Sequence, residues 1–219
     1  MEVTKNLHAF IWRDIMSNNC NTYFINGSKK ILVDPGHRQL FSHVKEGLSA
    51  LQVSLDQMDL VIVTHGHPDH VEAVQFFDRP TQVAMSQVDS QFMKEVKNPF
   101  LRIAGLDDFE PDFFLQEGRL NVGDETFQVV STPGHSPGSV CLYWPEQKAL
   151  FSGDVVFSGG IGRTDFPGGN GKLLKESIQR IAELDVEHLL PGHGEVISGR
   201  KAVERNFQMI KDQWFGYLI

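Results

Sequence analysis

Four short apolar runs in this chain open directly into turns rich in Gly or Pro that carry histidine or aspartate. They are "LVIVTHGHPDH" at 60–70, "VVSTPGH" at 129–135, "ALFSGD" at 149–154 and "HLLPGHG" at 188–194. The first of these, short and rich in β-branched residues, suits a buried strand, and the other three read as strand followed by loop. Gly and Pro set the direction in which the chain leaves each strand, so side chains on different loops can converge without strain. Loops at strand ends are where a rigid scaffold displays functional groups.

The first run is the densest, with His65, His67, Asp69 and His70 inside six positions. Two-residue spacing in extended backbone sends His65 and His67 to one side, where they can share one ion. Pro68 then turns the chain toward a helix and redirects Asp69 and His70 to a second position. His135, Asp154 and His193 close the other three runs in the same setting. Imidazole and carboxylate without thiolate suit zinc, iron or manganese. Two neighbouring ions would polarise a water and clamp an oxygen on which charge develops. His8, His37, His43 and His188 stand outside these four runs, apart from His188 at the start of the last, and read as packed, capping or solvated groups. The glycine-rich "GGIGRTDFPGG" is not a dinucleotide fingerprint, because Asp165 stands where a third glycine is required.

The remaining pattern alternates strands and helices. "HAFIW", "NTYFIN" and "KKILVD" read as strands, residues 40 to 51 as a helix on Leu40, Val44, Leu48 and Leu51, and "VEAVQFF" as helical. "TQVAMS" is a strand and "VDSQFMKEV" a helix, whereas 98–114, with two prolines and no clear periodicity, reads as a loop or lid. "TFQVVST", "SVCLYW" and "KALFSGDVVF" follow as strands, "LLKESIQRIAEL" and "RKAVERNFQMIKDQW" as helices. Two halves result, roughly 1–125 and 126–219, which predicts an α/β sandwich with two sheets inside and helices outside. No linker or repeat divides the 219 residues, so a single domain over 1–219 is expected.

Charge and composition narrow the partners. A net charge of -8 without a basic face argues against nucleic acid. No apolar run approaches the ~20 residues of a membrane helix, and "MEVTKNLHAF" lacks the basic and apolar regions of a signal peptide. With only Cys20 and Cys141, two buried thiols in a reducing cytoplasm are expected in place of a disulfide framework. The closing "DQWFGYLI" is expected to dock on the domain or to form a homodimer contact.

"THGHPDH", followed by "TPGH", "SGD" and "PGHG" in that order, resembles the metallo-β-lactamase superfamily over residues 31 to 194. The resemblance implies an αββα four-layer sandwich with two mixed sheets and outer helices. It implies that His65, His67 and His135 bind one divalent ion, that Asp69, His70 and His193 bind a second, and that Asp154 bridges them. Zinc is the first expectation, iron or manganese the alternatives, and Asp69 and Asp154 are the carboxylates expected to act in catalysis. "ILVDPG" fits the family's first motif, with Asp34 supporting the site.

"GRTDFPGG" at 162–169 resembles two branches, short glyoxalase II-like thioesterases and persulfide dioxygenases. The first would direct a metal-bound hydroxide at a thioester carbonyl, as in hydroxyacylglutathione hydrolases. The second would use a single iron on His65, His135 and Asp154 to oxidise glutathione persulfide. The thioesterase is the leading expectation, with a small thioester as substrate. Arg163, Tyr143, Lys172 and Arg102 are the candidate substrate contacts, although pairing with Asp165 is expected to occupy Arg163. Phe100, Phe109, Phe113 and Phe114 would line an acyl pocket or, as the preferred reading, pack the lid onto the core.

Overall fold

A computed structural model describes residues 1–96, 105–106 and 109–219. Arg102 and Phe100 lie outside the described residues, as does most of the stretch read as a lid.

The first sheet contains β1 (Glu2–Thr4), β2 (Leu7–Phe10), β3 (Thr22–Asn26), β4 (Lys30–Val33), β5 (Leu60–Ile62), β6 (Gln82–Ser86) and β7 (Phe113–Leu115), in that spatial order. The second orders β13 (Ile197–Ser198), β12 (His188–Pro191), β11 (Ala149–Gly153), β10 (Val140–Trp144), β9 (Glu125–Ser131) and β8 (Gly118–Val122). Both are mixed. β4 to β7 run parallel and β11 runs parallel to β12, while the other pairings are antiparallel.

Strand periodicity decides the layers. Ile31 and Val33 of β4 face one way and pack with Phe127, Leu142, Trp144 and Phe151 of the other sheet. Leu32 between them faces the other way, onto α1 (Ser42–Ala50) and α3 (Gln87–Val96), through Val44, Leu48 and Met93. The second sheet repeats the arrangement. Cys141 and Leu150 point outward onto Leu174, Ile178 and Ile181 of α4 (Gly171–Ile181) and Val203 and Ile210 of α5 (Arg200–Trp214). Each fully buried aliphatic or aromatic side chain contributes about 1.5–3 kcal/mol by leaving water. Strands hydrophobic on both faces force helices on both outsides, and the expected αββα sandwich results.

Several elements differ from the sequence pattern. Phe113 and Phe114 belong to β7, not to a loop, and Phe113 packs between the sheets while Phe109 packs under the helices of the first sheet. β8 already belongs to the second sheet, so the division between halves falls just after Leu115 and not at 125. A two-residue turn makes this possible, since Val122 pairs with Glu125 and Gly123 adopts φ +61°. "VEAVQFF" is not a regular helix. After the short α2 (Pro68–Val71) it tightens into a 3-10 turn, Glu72–Phe76. The loop after β4 takes its backbone groups: Gly36 N–H donates to the His70 carbonyl, and the Gly36 carbonyl accepts from Ala73. In the tail, Leu218 docks into the outer apolar cluster of the second sheet, while Tyr217 and Ile219 are exposed. Cys20 and Cys141 are buried and unpaired.

Candidate metal centre

The pairings orient β4, β5, β9, β11 and β12 so that all five leave their sheets at one edge of the sandwich. Hydrogen bonds between the sheets hold that edge together. Val140 N–H donates to the Thr64 carbonyl at 3.0 Å, and the Tyr23 hydroxyl donates to the Pro191 carbonyl at 2.6 Å. The loops after these strands carry Asp34, His65 to His70, His135, Asp154 and His193. Two glycines let the loops approach. Gly153 adopts φ +46°, and a Cβ there would lie 2.6 Å from Thr64 Oγ1. A Cβ on Gly192 would overlap Asp154 Oδ1 and lie 2.7 Å from His70 Cε1.

Three groups of ligand atoms meet at this edge: His65, His67 and His135; His65, His70 and Asp154; and Asp69, His70 and His193, each group's atoms within 4.8 Å of one another. His67 Nδ1 stands 3.0 Å from His65 Nε2 and 2.8 Å from His135 Nε2. On the other side His193 Nε2 stands 3.4 Å from His70 Nε2 and 3.3 Å from Asp69 Oδ2. Asp154 lies between, with Oδ1 3.3 Å from His70 Nε2 and Oδ2 3.4 Å from both His135 Nε2 and His193 Nε2.

Hydrogen bonds on the far side of the rings assign their tautomers. The Thr64 hydroxyl donates to Asp34 Oδ2 at 2.7 Å, so it must accept from His65 Nδ1, 3.1 Å away. His135 Nδ1 donates to the Arg163 carbonyl at 2.8 Å, and His70 Nδ1 donates to Asp34 Oδ2 at 2.9 Å. With Nδ1 carrying the hydrogen-bonded proton, Nε2 is in each of the three rings the nitrogen that faces the other groups, and in the neutral ring it offers them a lone pair. Asp154 Oδ1 is buried and accepts no hydrogen bond. Converging lone pairs with an orphaned carboxylate oxygen is a donor set that fits divalent cations, and the fixed outward nitrogens are the support such ligands need.

Charge divides the four histidines into two pairs. Burial, followed by the neighbouring histidines, pushes His65 well below the usual imidazole range and His67 down to about 4, so both are neutral and ligand-competent at pH 7. Burial opposes charge on His70 too, but Asp154 and Asp34 outweigh it and raise its pKa. His193 follows the same logic and rises to about 9. Burial works against ionisation of Asp69 and Asp154, yet the adjacent His70 and His193 hold both carboxylates below their ordinary range.

The sequence model of the metallo-beta-lactamase superfamily matches residues 17–198. The chain belongs to this superfamily. A protein of Aquifex aeolicus is 40% identical over 128 residues, a match covering 55% of this chain and 60% of that one. A probable metallo-hydrolase of Methanocaldococcus jannaschii is 34% identical, covering 80% of this chain and 88% of the relative. The hydroxyacylglutathione hydrolase GloC of Haemophilus influenzae is 32% identical, with 80% and 85% covered. Among solved structures, one crystallised in a di-iron-bound form aligns with a TM-score of 0.69 and 32% identity over 82% of this chain and 89% of that one.

In this superfamily member His67, Asp69, His135, Asp154 and His193 line an open cleft of about 690 Å³. Its walls are Pro68, Phe157, Phe166 and Pro167, with Asn18, His37 and Arg163 adding polar groups. The structure brings the seven metal-ligand candidates together at this edge of the sandwich, but not all the substrate candidates. Tyr143 falls on the outward face of β10, opposite to Leu142 and Trp144, and its hydroxyl donates to the Asp185 carbonyl at 2.8 Å, away from the cleft. Lys172 is exposed in the first turn of α4 and does not line the cleft. Arg163 does line it, with its guanidinium engaged by both oxygens of Asp165 at 2.9 and 2.6 Å and stacked 4.2 Å over Phe166.

Sequence reasoning passed over Asn18 and His37. Asn18 donates to Asp69 Oδ2 at 2.7 Å from the loop between β2 and β3, a contact across 51 positions with no local signal. His37 stands on the cleft wall with Nδ1 2.8 Å from Glu72 Oε2. Its place directly after "DPG" was the available clue.

Proposed function

We propose that this protein is a dinuclear metal-dependent hydrolase of small thioesters, of the hydroxyacylglutathione hydrolase type. The observation that carries the reading is the position of Asp154 between two sets of ligand atoms, His65, His67 and His135 on one side and Asp69, His70 and His193 on the other. A mononuclear site would leave the second set without work at the bottom of the same cleft. The relative from Haemophilus influenzae named for thioester hydrolysis supports the substrate class.

Bound divalent ions would supply Lewis acidity and a water acidified enough to attack at neutral pH. The chain's own residues do the rest. Asp154 and Asp69 stay ionised and balance the charge of the centre, and Asn18 holds the Asp69 carboxylate in place. In this reading Asp69 would accept the proton of the attacking water, and a thiolate leaving group needs no strong general acid. Phe157, Phe166, Pro167 and Pro68 present an apolar wall that shelters the acyl portion from water. Arg163, the arginine on the cleft wall, is already paired with Asp165, which favours substrates without several carboxylates near the scissile bond.

The test measures metal content by elemental analysis together with thioester hydrolysis under anaerobic conditions. About two ions per chain and oxygen-independent release of thiol support the reading. A single iron per chain, with oxygen consumed in the presence of glutathione persulfide and no thioester turnover, would overturn it in favour of a dioxygenase.

A further inference from the structure

Asp89 sits in the first turn of α3, where an acidic residue ordinarily favours its own helix. Its carboxylate does something else. It is 1% exposed, and its hydrogen-bond partners belong to two distant loops. Oδ2 accepts from the Gly66 N–H at 2.7 Å, the peptide between His65 and His67. Oδ2 also accepts from the Ser136 hydroxyl at 2.7 Å, the residue after His135. Oδ1 accepts from the Gly138 N–H at 2.6 Å, in the same loop. The Ser139 hydroxyl, 2.6 Å from Ser136 Oγ, completes the chain by donating to it, since the Ser136 proton goes to Asp89.

A buried carboxylate surrounded by donors alone is a strong and directional joint, because charge-assisted bonds in a dry setting are short and costly to break. The helix side is held as well, with the Asp89 N–H donating to Ser86 Oγ at 3.1 Å. A Cβ on Gly138 would lie 2.8 Å from Asp89 Oδ1, so the loop reaches the carboxylate only because no side chain intervenes. The two loops so joined carry all three members of the histidine set, although His67 and His135 are 68 positions apart.

We propose that Asp89 is a positioning residue that ties the His65–His67 loop to the His135 loop and so sets the geometry of the three-histidine metal position. The proposal rests on the reading of this centre as dinuclear. It assigns Asp89 no contact with metal or substrate and makes it act through the loops alone. The Asp69, His70 and His193 position has no bond to this joint and should not depend on it.

The experiment compares wild type, Asp89→Asn and Ser136→Ala. Asn replaces one acceptor oxygen with an NH2 that faces a backbone N–H, which releases one loop; Ser136→Ala removes a single donor and leaves the core filled, so it keeps the test informative if Asp89→Asn folds poorly. Stepwise zinc affinities are measured by competition with a chromophoric chelator. Amide exchange at Gly66 and Gly138 is measured in chelator-treated protein. The expected result is a selective loss of about 10–100-fold at one of the two metal steps for Asp89→Asn, less for Ser136→Ala, with lost exchange protection at Gly66 or Gly138 in Asp89→Asn. Unchanged affinities and protection, or a parallel weakening of both steps that tracks the melting temperature, would overturn the proposal. If wild type itself takes up fewer than two ions while Asp89→Asn still loses amide protection, the dinuclear reading fails and the loop tie stands without a metal role.

Discussion

Replacing Asp34 should separate stability from metal binding, and the structure supplies the magnitudes. Asp34 is 2% exposed and accepts from the Thr64 N–H at 2.7 Å, from the Thr64 hydroxyl at 2.7 Å and from His70 Nδ1 at 2.9 Å. Thr64 and His70 are themselves buried, so Asp34→Ala leaves donors that water reaches poorly. Each orphaned donor costs about 1–3 kcal/mol, and Asp34 has φ +53°, a left-handed conformation that Ala tolerates less well than Asp. A loss of about 3–6 kcal/mol is expected in urea unfolding with chelator present, a large part of the ~5–15 kcal/mol typical of a domain. Asp34→Asn should lose less, because it keeps one acceptor and tolerates the backbone conformation. Its NH2 nevertheless faces a donor at Thr64 Oγ1 or His70 Nδ1. His70 then loses the acceptor that keeps a proton on Nδ1, and Nε2 is no longer the nitrogen reserved for a metal ion beside Asp154. Zinc affinity should fall by about 10–100-fold even where stability is largely retained. An Asn variant with wild-type metal affinity, or an Ala variant within about 1 kcal/mol of wild type, would refute the reasoning.

Three further outcomes follow from the same geometry. In chelator-treated protein His193, raised to about 9 by Asp154 and Asp69 against the effect of burial, stabilises the fold fully below its unfolded value near 6.5 and loses that contribution as pH rises through 9. The melting temperature with chelator should therefore drop across that window, and zinc binding at pH 7.5 should release protons, seen as a buffer-dependent calorimetric enthalpy, with affinity weakening as pH falls. Gly192→Ala places a methyl against Asp154 Oδ1 and His70 Cε1; it should cost about 1–3 kcal/mol and abolish most activity, and a fully active variant would show that Asp154 has room to move.

Much of the centre was legible in the chain itself because it depends on local rules. His65 and His67 share a side by two-residue periodicity, Pro68 starts the turn that redirects Asp69 and His70, and Gly and Pro mark where each strand ends. The alternation of Ile31, Leu32 and Val33 likewise announces a strand buried on both faces, and hence helices outside two sheets. Where local pattern and tertiary bonding disagree, the pattern misleads. "VEAVQFF" has helical spacing, yet Gly36 takes the backbone groups a helix would need. Tyr143 has the chemistry of a substrate contact, but strand alternation sends it to the outer face of β10.

Asn18, His37 and Asp89 acquire their roles only in the folded chain. Asn18 meets Asp69 across 51 positions, and Asp89 meets Gly138 across 49. Sequence determines which residues have ligand chemistry and which strands carry them, because periodicity and turn chemistry act over a few residues. Tertiary structure decides which buried polar group holds another in place, because a hydrogen bond is set by distance in space and leaves no periodic trace along the chain.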